Sequence, residues 1–115
     1  MQGDARLSQS ATATFLDTNN KLHLSAASYW EIAIKQSLGK LGLVPTWATL
    51  IDQEMTANNI GWLAIEKVHC QTLLQLPWHH RDPFDRLLIS QAQYEGMGLL
   101  SKDKTLSSYN VKVIW

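Results

Sequence analysis

Four short apolar segments, each the length of a strand, alternate with stretches of helical periodicity, and this alternation constrains the fold more than any other feature of the chain. Leu22, His23 and Leu24 make the first, ending at Ser25. Residues 62–65 after Gly61 make the second, Gly98-Leu99-Leu100 the third, and the alternating Val111, Val113 and Trp115 the last. Between and before them lie the predicted helices. Residues 5–18 place Leu7, Ala11, Phe15 and Leu16 on one face and stop at Asn19-Asn20. Residues 26–38 carry a stripe of Trp30, Ile34 and Leu38 and end at Gly39 and Gly42. After Pro45, residues 46–58 run through Trp47, Leu50, Ile51 and Met55, which read as core or protein interface. Residues 66–76 carry Val68, Leu73, Leu74 and Leu76 and are closed by Pro77. A polar loop over 78–82 leads to Pro83 at a first helical position, a helix over 84–95 and Gly96 as its cap. Strands separated by helices specify an α/β layer with a mostly parallel sheet.

Composition narrows the range further. The chain has 115 residues, with ten Lys plus Arg against ten Asp plus Glu, so it is not a generally basic nucleic-acid binder. Hydrophobic residues make up 45%, enough for a core and too many for a disordered chain. No repeat, low-complexity tract or linker interrupts it, and the expected organisation is a single domain over 1–115. Cys70 is a lone cysteine, the first residues lack the pattern of a signal peptide, and no apolar run approaches the roughly 20 residues of a membrane span. A cytoplasmic protein without membrane contact is expected.

Three acids stand where open α/β folds gather ligands, at strand ends and helix starts. Asp103 lies three residues beyond Leu100, Glu31 lies early in the helix after the first strand, and Asp85 lies in the first turn after Pro83. Carboxylates without cysteine partners suit Mg²⁺ or Mn²⁺ rather than zinc, and such ions activate water and neutralise phosphate oxygens in phosphodiester hydrolysis. The pairs His69-Cys70 and His79-His80 lack the spacing of a structural zinc site. Each acid also has a local alternative. Ser28-Tyr29-Trp30-Glu31 matches a capping box, Asp82 before Pro83 is a favoured N-cap, and Asp103 fits an ordinary turn.

Longer words in the sequence carry a resemblance. Ser25-Ala26-Ala27-Ser28-Tyr29-Trp30-Glu31-Ile32-Ala33-Ile34-Lys35 followed by Leu38-Gly39-Lys40-Leu41 resembles PIN-domain ribonucleases of VapC type. Leu76-Pro77-Trp78-His79-His80-Arg81-Asp82-Pro83-Phe84-Asp85-Arg86-Leu87-Leu88-Ile89 is similar to the central signature of that family. Gly98-Leu99-Leu100-Ser101-Lys102-Asp103, Tyr109 and the closing Val111-Lys112-Val113-Ile114-Trp115 are similar to its last segment. The resemblance implies a three-layer domain with helices flanking a mostly parallel sheet. It also implies the toxin of a type II toxin–antitoxin pair, an endoribonuclease that uses Mg²⁺ or Mn²⁺, forms a homodimer and is held by a cognate antitoxin. Residue by residue, Glu31, Asp85 and Asp103 take the second, third and fourth acidic positions, as catalytic residues and metal ligands, with Asp82 and Ser28 supporting.

One departure sets this chain apart from that pattern. The family begins with a central apolar strand ending in Asp, and Phe15-Leu16-Asp17-Thr18-Asn19 imitates it too close to the strand at Leu22 to serve. The expectation is a PIN-like domain whose first central strand and first acid are absent, so that the sheet either closes over the gap or is filled. The functional alternative is then an inactive remnant that binds an antitoxin or dimerises. Lys35, Arg81, Arg86 and Lys102 are expected to form a basic rim for RNA, although Arg86 also fits a structural or antitoxin-facing contact. Trp30, Trp47 and Trp62 are assigned to the core, and Trp78, in the polar loop, to base stacking.

Overall fold

The apolar segments and helical stretches settle into β1 (His23–Ser25), α1 (Ala26–Ser37), α2 (Trp47–Ala57), β2 (Gly61–Leu63), α3 (Lys67–Leu73), α4 (Pro83–Glu95), β3 (Leu99–Leu100), a 3₁₀ helix (Lys104–Ser108) and β4 (Val113–Ile114). The structure is a computed structural model that describes residues 20–79, 82–101 and 103–115, the side chain of Lys104 excepted, together with Gln9, Ala13, Leu16 and Asp17. The helix expected over 5–18 therefore falls largely outside the described residues, as do Arg81 and Lys102 of the expected rim. The chain divides into two units, Lys21–Ile65 and Glu66–Trp115 together with Met1–Asn20.

In the first unit β1 and β2 pair in parallel, with His23 opposite Gly61, Leu24 opposite Trp62 and Ser25 opposite Leu63. A side chain at position 61 would press on the His23 ring, 3.1 Å from its Cδ2, which accounts for glycine there. Ser25 ends the strand and starts the helix, its Oγ accepting the Ala27 N–H at 3.0 Å. The helix therefore begins three residues before the position that a Ser28 cap requires, and the capping box expected at Ser28 and Glu31 does not form. At the other end of α1, the Gln36 amide donates to Leu43 O at 2.9 Å and accepts Leu43 N–H at 3.0 Å. This pair fastens the loop that follows.

The apolar stripe of α1 is not the one that periodicity pointed to. Tyr29, rather than Trp30, meets the ring of Trp47 at 5.2 Å and that of Trp62 at 5.4 Å. Trp30 and Leu38 are more than half exposed, at 56% and 62%. One residue along a helix turns the face by about 100°, which sets Tyr29 against Trp47 and Trp62 and leaves Trp30 outward. Trp62 is also half exposed, so of the three tryptophans expected in the core only Trp47 is partly covered. α2 has no fully buried residue.

The second unit holds the larger core. Leu76, Ile89, Leu106 and Tyr109 are buried together, with Leu99, Val111 and Val113 packed against them. β3 and β4 pair in parallel, Leu99 opposite Val113 and Leu100 opposite Ile114. α3 stops at Leu73, short of the Leu76 expected, because the chain tightens to i→i−3 bonds from Gln75 N to Thr72 O and from Leu76 N to Leu73 O. That tightening turns Leu74 outward at 80% exposure and Leu76 inward at 6%. α4 forms as its sequence signals direct. Asp82 Oδ1 accepts the N–H groups of Phe84 and Asp85, Pro83 takes the first helical position, and Gly96 closes the helix at φ 70°.

Among the described residues all strand pairing is parallel, as expected of an α/β domain, with one two-stranded sheet in each unit.

Candidate active site

The second unit carries two of the three expected acids on segments that a single side chain ties together. Asp85 sits in the first turn of α4, where the helix dipole favours a carboxylate. Asp103, just past β3, caps the 3₁₀ helix, its Oδ1 accepting the N–H and hydroxyl of Thr105 while its own N–H donates to Ser101 Oγ at 3.1 Å. The turn expected at Asp103 is thus a specific cap. Tyr109 closes the same 3₁₀ helix and, at 3% exposure, belongs to the core.

Arg86 joins these pieces. Its side chain is buried, at 3% exposure, and Nη1 donates to Pro77 O at 3.0 Å and to Tyr109 Oη at 3.3 Å, while Nη2 donates to Leu73 O at 3.3 Å. The guanidinium carbon lies 3.9 Å from the centre of the Trp78 ring. Its partners are neutral oxygens and a π face, so the burial of its charge is offset by hydrogen bonds and the ring quadrupole. The planar fork reaches the end of α3, the loop after it and the closing residue of the 3₁₀ helix at once, which a lysine could not do. Arg86 therefore leaves the basic rim on which RNA binding was expected and fulfils the structural alternative.

Glu31 lies in the first unit, in the second turn of α1, and pairs with Lys35 one turn on at 3.0 Å. An exposed i,i+4 pair of this kind contributes about 0.3–0.5 kcal/mol. Lys35 is the one rim residue that remains both described and exposed. Ser28, expected to support Glu31, lies half-buried within α1 and does not cap it. Asp82, the other supporting residue, is fixed as the cap of α4, so it shapes the turn that presents Asp85.

Sequence reasoning passed over a second buried polar site. His69 is fully buried, accepts the Glu66 N–H on Nδ1 at 2.9 Å and meets Glu95 Oε2 through Nε2 at 2.8 Å. Because Nδ1 is an acceptor, the ring proton sits on Nε2 and is donated to the carboxylate. The bond to Glu95 links the start of α3 to the end of α4, and together with the Glu66 N–H it occupies both nitrogens of the histidine adjacent to Cys70. Within neither unit do the described His, Cys, Asp and Glu side chains assemble a group of three that could hold a metal ion. No described helix is long and apolar enough to cross a membrane.

The chain pairs parallel strands with helices and carries acids at a helix start and beyond a strand end, where α/β folds bind ligands. The sequence matches the PIN domain over residues 5–112, nearly its whole length, and the chain belongs to that family. PIN nucleases generally use divalent metals. Neither curated proteins nor solved structures provided a match.

Proposed function

We propose that this chain is a metal-dependent endoribonuclease that cuts RNA phosphodiester bonds, and that it is the toxin of a type II toxin–antitoxin pair. One observation carries the reading: Asp85 and Asp103 stand on segments that Arg86 and Tyr109 bind into one framework. Such a framework holds carboxylates in place before substrate arrives, which is what a site for a hard cation needs. The donor chemistry fits Mg²⁺ or Mn²⁺. The proposed ligands within this unit, Asp85 and Asp103, offer the carboxylate oxygens that such ions take. A bound ion would lower the pKa of a water and offset charge on the phosphate oxygens. The protein's part is to orient the carboxylates: Asp82 sets the first turn of α4, and Ser101 and Thr105 hold the backbone and side chain of Asp103.

The exposed apolar side chains of the first unit, among them Trp30, Leu38 and Leu50, favour a second reading in which the chain binds an antitoxin or a second copy of itself without cutting RNA. A cleavage assay separates the two. Purified protein is incubated with a mixture of structured RNAs in Mg²⁺, Mn²⁺ or EDTA, beside an Asp85→Asn variant. The enzyme reading expects metal-dependent cutting that the variant loses by more than the roughly 10–100-fold typical of changes outside the ligand shell. Folded protein that leaves RNA intact in both metals establishes the binding module instead.

A further inference from the structure

We infer that Trp78 is a stacking platform for one unpaired base of a single-stranded RNA, a contact that rests on the nuclease reading above and gives it a substrate-binding subsite. Trp78 is the most exposed aromatic side chain among the described residues, at 76%. Large exposed rings on loops are usually free to rotate, and ordering them on binding is costly. This one is held already. One face of the indole lies on the Arg86 guanidinium at 3.9 Å, and that guanidinium is fixed by hydrogen bonds to Pro77 O, Leu73 O and Tyr109 Oη. With one face seated on a buried cation and the residue three-quarters exposed, the opposite face is presented to solvent in a set orientation.

Placement identifies the occupant. Arg86 directly follows Asp85 in α4, so the side chain that supports the ring is the helical neighbour of a proposed metal ligand. The residues between the ring and the helix, His79-His80-Arg81-Asp82, are all polar, and the cation that the structure places at the ring is Arg86. A protein hot spot would sit in an apolar surround, whereas an exposed ring in a polar loop, backed by an arginine, is how proteins hold single-stranded nucleic acid, one base per ring with little sequence preference.

The test is equilibrium binding of the whole protein to a fluorescein-labelled single-stranded hexaribonucleotide in EDTA, where cutting is suppressed. The intact hexamer is compared with versions in which one base at a time is removed to leave an abasic ribose. Trp78→Ala is expected to weaken binding of the intact hexamer about tenfold, the loss of one stacked base. Trp78→Phe should keep most of the affinity, and Trp30→Ala, an exposed tryptophan of the other unit, should match the unaltered protein. One abasic position should cost the unaltered protein about as much and cost Trp78→Ala nothing further. A Trp78→Ala protein with full affinity overturns the platform, and so does one that loses affinity equally for intact and abasic RNA, since that pattern marks a purely structural ring. Failure of the unaltered protein both to bind and to cut RNA overturns the nuclease reading together with the platform. RNA cutting that survives Trp78→Ala with unchanged binding leaves the nuclease reading standing and removes the platform alone.

Discussion

Arg86 shows how far one side chain can depart from the role its charge suggests. In the sequence it is a cation one position after an acid, and an RNA-facing rim is a natural assignment. In the fold it shares a helical face with Ile89 and Ser90, both fully buried, and its fork replaces water for two backbone carbonyls and a phenol. Replacing it with methionine keeps the stem and removes the guanidinium donors from Pro77 O, Leu73 O and Tyr109 Oη, so Arg86→Met is expected to lower stability by about 2–4 kcal/mol. Arg86→Lys should recover only part of that, because an ammonium cannot span the three acceptors. Denaturant unfolding of both variants checks the order. Asp82 offers a gentler comparison. Asp82→Ala removes the acceptor of two N–H groups at the start of α4 and should cost about 1 kcal/mol, while Asp82→Ser, also a good cap, should cost less. Thermal melts of the pair would distinguish loss of the cap from loss of the charge.

At the scale of elements, α4 is the best-specified piece of the chain because every signal at its ends agrees. An N-cap acid, a proline at the first position and a glycine at the last lie in the sequence and act locally, within one turn of the backbone each reads. Gly96 adopts φ 70°, where a Cβ is strained although nothing crowds it, so Gly96→Ala should destabilise by about 1 kcal/mol, measurable by denaturant unfolding. α1 was legible in extent and not in orientation. Its start directly after Ser25 is where the sequence places it, and the capping box at Ser28 and Glu31 is the local alternative that falls, because Ser25 itself supplies the cap. Its buried face moved by one residue because Tyr29 and Trp30 are both large aromatics, and contact with Trp47 and Trp62, distant in sequence, selects Tyr29. α3 ended early for a similar reason. Its Leu73 carbonyl accepts both the Leu76 N–H of a tightened last turn and the Arg86 guanidinium, a partner 13 residues on.

Across the whole molecule the buried side chains are unevenly shared. The second unit holds Leu76, Ile89, Leu106 and Tyr109 with the buried polar residues His69, Arg86, Ser90 and Gln91, whereas the first unit buries fully only Ser25 and Ala27. Local opening follows the density of buried apolar contact. Amide hydrogen exchange should therefore be slowest across residues 89–92 of α4, which are all buried, and fast throughout α2, which buries none. Equal protection in the two helices would refute this ordering. The placement of the acids follows the same division, Asp85 and Asp103 in the unit with the core and Glu31 in the other, paired with Lys35.

The sequence by itself determined the class of fold, the family, the direction of strand pairing, the ends of α4 and the cap at Asp82. These depend on periodicity, on proline and glycine, and on groups a few residues apart, so a linear reading reaches them. Only the tertiary structure decided that the strands stand as two parallel pairs, that Trp30 and Trp62 lie largely in solvent, and that His69 is spent on Glu66 and Glu95. It also decided that Arg86 is buried beneath Trp78. The physical reason is that pairing, exposure and burial are set by packing between segments apart in the chain, as His69 with Glu95 and Arg86 with Tyr109 show, and the free energy of a buried polar group depends on that partner's position rather than on the residue itself.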